Sequence, residues 1–173
     1  MKRFFLFAMV CLTAVSALFA EVVEVHNVGE LVSAVNKNAS AYIQLMNDIN
    51  ISSLTQPIDK TFKGTIDGAG HKITGASALY FGPAKTTTIK NVVFENIHNA
   101  GNDQSAIYGA GFSTGSITIT GCTFDTCDWD AIQITPIQDS SMIITGNTFK
   151  HTNTETSQVR YVHIESGSYI DAT

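Results

Sequence analysis

The chain has 173 residues, 44% of them hydrophobic, with 15 acidic against 10 basic residues and a formal net charge of −5. That acidic balance, with scattered lysines, excludes an electrostatically driven nucleic-acid-binding role. It also gives no general pull toward acidic polysaccharides, so any such binding needs a local basic site.

Met1–Ala20 (MKRFFLFAMVCLTAVSALFA) begins with basic residues, continues apolar and ends on small residues. This is the pattern of a secretory signal peptide, with cleavage after Ala17 or Ala20. Cys11 has no small residue before it, so no lipid anchor is expected. No later apolar run approaches the roughly 20 residues that cross a bilayer. The expected location is secreted or cell-surface, without a membrane span. Loss of Lys2 and Arg3 makes the mature chain more acidic still. Residues 21–173 suit one domain.

Glu21–His26 (EVVEVH) alternates and predicts a first strand. Val28, Leu31, Val32 and Val35 then recur at helical spacing, with Asn27 and Glu30 placed as a capping box. One short amphipathic helix over residues 28–36 is predicted, within an N-terminal cap of about residues 21–40. Strands follow at Tyr42–Met46, Thr65–Asp67, His71–Thr74 and Leu79–Phe81, with a corner at Gly68–Gly70.

Beyond these the chain repeats itself. Ile89–Phe94 (IKNVVF), Ile119–Phe124 (ITGCTF) and Ile144–Phe149 (ITGNTF) stand 30 and then 25 residues apart. Periods of roughly 20–50 residues mark stacked repeats, each burying its apolar face against a neighbour. The units are β-branched and aromatic, so the stacked elements are strands. Each is followed by a second apolar patch: Ala106-Ile107, Ala131-Ile132, and Val162 with Ile164. No second helical pattern separates the strands, which excludes a βαβ sheet. A hairpin-built β-sandwich is the competing all-β reading, but Asp67-Gly68 is its one candidate tight turn. The expected fold is therefore a single-stranded right-handed parallel β-helix, a solenoid with a short capping α-helix.

Aligning the units predicts inward columns Ile89/Ile119/Ile144 and Phe94/Phe124/Phe149. Three outward sets follow: Glu95/Asp125/Lys150, Ser105/Asp130/Arg160 and Tyr108/Gln133/His163. An exposed strand face carrying Tyr108, Asp130, Gln133, Arg160 and His163 suits sugar, because rings stack on tyrosine and hydroxyls meet polar groups. Ordinary solvated strand positions are the plainer reading. Asp125, Asp128 and Asp130, with Trp129 among them, form the densest acidic cluster. Such oxygen ligands suit a hard cation such as Ca²⁺, although three aspartates in a turn also cap bends. Cys122 and Cys127 admit either a disulfide, which export permits, or two small buried thiols.

The segments IQLMNDINIS, FKGTIDGAGHKITG, TIKNVVFENI, SITITGCTFDTC and SMIITGNTFKH resemble the right-handed parallel β-helix superfamily with the pectin-lyase-like fold. The opening strand and helix resemble its N-terminal cap. Phe94-Glu95-Asn96, Ser105–Tyr108 and Thr123-Phe124 resemble the short repeats of adhesin-like members. The superfamily hosts lyases, hydrolases, esterases and adhesins, so the resemblance speaks for fold more than activity. It implies carbohydrate binding or adhesion to a polysaccharide or cell-surface glycan. The alternative it implies is a Ca²⁺-dependent polyuronate lyase, with Asp125, Asp128 and Asp130 on the cation and Arg160, or Lys150, as base. A hydrolase role for Asp128 and Asp130 lacks the other motifs of that branch. No C-terminal cap is evident after Tyr169-Ile170-Asp171, and an open last coil implies either self-association there or the front part of a longer ancestral stack.

Overall fold

The computed structural model describes residues 21–37, 41–54, 62–75, 79–80, 86–97, 105–112, 115–127, 130–136, 140–150 and 160–164. The expected signal peptide lies outside these residues. Among the described residues fifteen strands and one helix appear in chain order. β1 is Val22–Val25, α1 Val28–Lys37, β2 Tyr42–Leu45, β3 Ile49–Asn50, β4 Thr65–Asp67 and β5 Lys72–Gly75. β6 is Leu79–Tyr80, β7 Thr86–Lys90, β8 Val93–Ile97, β9 Ser105–Phe112 and β10 Gly115–Thr120. β11 is Thr123–Asp125, β12 Asp130–Pro136, β13 Ser140–Thr145, β14 Thr148–Lys150 and β15 Arg160–Ile164.

These strands form three sheets. The first runs β1-β2-β4-β7-β10-β13, the second β3-β5-β8-β11-β14, the third β6-β9-β12-β15. Every pairing is parallel. From β4 onward each coil gives one strand to each sheet, so the chain is a parallel β-helix. Parallel pairing demands a crossover between partners, and here the other two strands of the coil supply it.

Stacking makes the core a set of columns. On the first sheet Val23, Ile43, Ile66, Ile89, Ile119 and Ile144 stand in register. On the second, Ile49, Ile73, Phe94, Phe124 and Phe149 do. Leu79, Ile107, Ile132 and Val162 continue the pattern on the third. The phenylalanine rings stack face on, at 5.0 Å between Phe94 and Phe124 and 5.2 Å between Phe124 and Phe149.

The third position of each repeat explains its Asn-or-Gly choice. Asn91 (φ 53°), Gly121 (φ 63°) and Gly146 (φ 63°) turn the corner from first to second sheet in the left-handed region. Glycine adopts that conformation freely, and asparagine is among the few side-chain-bearing residues that visit it. The equivalent corner after Asp67 is two residues longer and uses Ala69 and Gly70 at positive φ.

Helix α1 starts as its capping box predicts. Glu30 N donates to Asn27 Oδ1 at 3.0 Å, while the Glu30 carboxylate accepts from His26 N and Asn27 Nδ2, both at 2.8 Å. It packs on β1 and β2 and buries Leu31, Ala34 and Val35. The first coil's core end is thereby closed. Of the two readings left open for the cysteines, the structure has free, buried thiols. Cys122 Sγ lies 3.7 Å from the Ile89 carbonyl and Cys127 Sγ 3.8 Å from that of Phe94.

Candidate functional site

The third sheet brings the polar residues singled out in the sequence into register. Tyr108, Gln133 and His163 occupy one row across β9, β12 and β15, and Ser105, Asp130 and Arg160 another. Strands lie about 4.8 Å apart, so three in a row span ~10 Å. Two hydrogen bonds tie the rows together diagonally. His163 Nδ1 sits 3.0 Å from Asp130 Oδ2, and Ser105 Oγ donates to Gln133 Oε1 at 3.3 Å.

Ser105, Asp130 and Gln133 are buried, where an exposed face was expected. Asp130 is 2% and Gln133 7% exposed, whereas Tyr108 and His163 are half-buried. A buried carboxylate needs a partner, and His163 supplies one for Asp130. Arg160 stands across from Asp130 in the ladder. The corner leading into this sheet holds Thr126 at φ 55°, aligned with Asn96 at φ 52° in the coil below. A β-branched residue is an outlier there.

The second sheet carries the other outward set. Glu95, Asp125 and Lys150 share a row. Lys72 reaches Glu95 at 2.8 Å, and that hydrogen bond holds the ammonium pKa above its ordinary value. Asp125 accepts a 3.0 Å bond from Thr126 Oγ1. The proposed calcium ligands thus fall on two sheets, Asp125 on the second and Asp130 on the third, while Asp128 lies outside the described residues. Among the described residues no group of three or more His, Cys, Asp or Glu side chains could hold a metal. The two candidate bases also separate, Lys150 on β14 and Arg160 on β15.

One polar cluster was not foreseen. On the first sheet Asp67 accepts from Tyr42 Oη at 2.5 Å, Asn91 Nδ2 at 3.1 Å and Ala69 N at 3.0 Å. Lys90 Nζ lies 3.2 Å from Asp67 and 5.1 Å from the Tyr42 ring centre. Burial pushes the Asp67 pKa up, but the hydrogen bonds from Tyr42, Ala69, Asn91 and Lys90 outweigh it and hold the group at about 2. With Lys90 drawn over the Tyr42 ring, this cluster is a brace between coils. Tyr42 and Asp67 both face outward on neighbouring strands, the one signal that could have joined them.

Three parallel sheets wound coil on coil, with polar rows in register on the third, define a parallel β-helix protein. A family model described as "putative pectate lyase-like adhesive domain" matches residues 22–168. The chain belongs to that family. No curated protein and no solved structure matches it. No helix among the described residues is long and apolar enough to cross a membrane.

Proposed function

We propose that this protein is a secreted or cell-surface adhesive domain that binds carbohydrate through the outer side of its third sheet. The row Tyr108–Gln133–His163 carries the reading. It sets an aromatic ring, an amide and an imidazole at strand spacing, a pattern that can stack on one sugar ring and hydrogen-bond the next. The Asp130–His163 and Ser105–Gln133 bonds hold the row in place before a ligand arrives. Pre-organisation of this kind lowers the ordering cost of binding. The family's description points to adhesion.

The test is a glycan array followed by affinity measurement on the best polysaccharide, with and without Ca²⁺. Tyr108→Ala is expected to weaken binding about tenfold, equivalent to the ~1.4 kcal/mol that one stacked aromatic contributes. His163→Ala should weaken it too, with melting temperatures checked in parallel. Failure to bind any glycan in either condition overturns the proposal. A rise in unsaturated-sugar absorbance on acidic polysaccharides, lost in Arg160→Ala, would make the same face a lyase site instead.

A further inference from the structure

The Asp130–His163 pair joins a buried acid to a partly exposed imidazole. The Asp130 side chain is 3% exposed and that of His163 25%, with Oδ2 and Nδ1 3.0 Å apart. A carboxylate only accepts hydrogen bonds, so the proton between them belongs to Nδ1. That fixes the tautomer of the neutral ring and leaves its other nitrogen, Nε2, with a lone pair. Nε2 is then an acceptor with a buried negative charge behind it. Proton uptake reverses this. The ring becomes a cation, Nε2–H becomes a donor, and the charge of Asp130 is balanced by its hydrogen-bond partner. Histidine is the side chain that ordinarily changes charge between about pH 5 and 8. From β12 the ring meets Asp130 and, in its own row, the uncharged Gln133. β9 adds Tyr108 at the far end of that row, and Arg160 stands on β15 itself, across the ladder from Asp130. Phenol and guanidinium groups ordinarily keep their charge state over that range, which leaves the imidazole as the group that changes.

We propose that His163, oriented by Asp130, selects glycans by charge, and that pH sets the selection. Uronate-bearing chains are refused while the ring is neutral and bound once it is protonated, whereas neutral chains bind in both states. The inference rests on the carbohydrate-binding reading of the Tyr108–Gln133–His163 row. A sugar hydroxyl both donates and accepts. It bonds to the bare Nε2 of the neutral ring and, turned round, to the Nε2–H of the cation. A carboxylate only accepts, and a sugar carboxyl stays ionised down to about pH 4. Against the neutral ring it meets a lone pair and the like charge of Asp130, which repels it. Against the cation it gains a charge-assisted hydrogen bond, roughly twice as strong as a neutral one. The chain as a whole, at a net charge of −5, exerts no pull on acidic polysaccharides, so their binding needs a local positive group. Within the row the protonated imidazole is that group. By linkage the bound uronate in turn favours the protonated ring, so its binding takes up protons.

The test compares polygalacturonate, alginate and hyaluronate, each beside its carboxyl-reduced neutral form, at about pH 5 and about pH 7.5. Chelator is present throughout, so that no cation bridges the carboxylates. Uronate affinity is expected to rise about tenfold at the lower pH, the effect of one charge-assisted hydrogen bond gained, while the neutral form changes less than about twofold. His163→Gln should remove the rise. Asp130→Asn, which takes away the charge that favours the cation, should move the rise to lower pH. A merely structural Asp130 would instead weaken both forms at every pH. Should either variant fold poorly, calorimetry on the unaltered protein in buffers of different ionisation heat still decides: uronate binding takes up protons and neutral binding does not. Uronate affinity that is equal at the two pH values, or that rises as much in His163→Gln, overturns the proposal and leaves sugar binding by the row intact. Binding of the neutral forms alone at both pH values overturns it in the same way. If none of these chains binds, the proposal falls, and the glycan array decides separately whether the row binds sugar.

Discussion

Asp67 shows how one side chain can tie three coils. Tyr42 comes from the coil before it, Lys90 and Asn91 from the coil after, and all converge on one carboxylate. The ordinary carboxyl pKa of about 3.9 applies in the unfolded chain, and the folded value is about 2. A depressed folded value means that the unfolded state binds the proton more readily. The stabilisation is thus fully present above about pH 4 and is lost as pH falls toward 2. Allowing for solvent screening, it amounts to about 1–2 kcal/mol. Asp67→Asn should therefore lower the unfolding free energy at pH 7 and flatten its decline between pH 4 and 2. Urea unfolding at a series of pH values checks both. A variant with an unchanged acid limb would place the acid sensitivity elsewhere. This cluster was not legible in the sequence, because the coil holding Tyr42 and the coil holding Asp67 do not share the Ile-to-Phe pattern that set the later registers.

At the scale of the element, the repeat was legible because stacking converts spacing in sequence into neighbours in space. Ile89, Ile119 and Ile144 could be aligned by eye, and the ladders pair them so. The outward rows followed from the same alignment. Two things did not follow. The diagonal bond from His163 to Asp130 depends on side-chain direction at the start of β12, which a register cannot specify. The burial of Gln133 depends on the surrounding chain. The phenylalanine column turns this register into a graded prediction. Phe124 lies between two stacked rings and is 1% exposed, whereas Phe149 has Phe124 on one side and the tilted Tyr161 ring at 5.3 Å, and is only partly buried. Phe124→Ala should cost roughly 3–5 kcal/mol, as a buried aromatic does when a cavity remains. Phe149→Ala should cost clearly less. Thermal or urea melts measure the difference, and equal losses would contradict the difference in burial between the two rings.

In a solenoid each coil touches only its neighbours, so stability is close to a sum over coils and interfaces. α1 packs on the first coil, and in the β13–β15 coil Val162 and Ile164 are exposed where Ile132 and Ile134 beneath them are buried. Opening should then begin at β13–β15 and travel back toward the helix, as sub-global opening does elsewhere. Cys122 is placed to report it, at the corner between β10 and β11, one layer under the last coil. Burial pushes its thiol up to about 11, so the native thiol is almost entirely protonated at pH 8 and slow to react. Loss of the last coil exposes this corner and returns the thiol toward its ordinary pKa of about 8.5. Thiol labelling at pH 8 should rise at urea concentrations below the circular-dichroism midpoint. Coincident midpoints would mean that the coils melt as one unit.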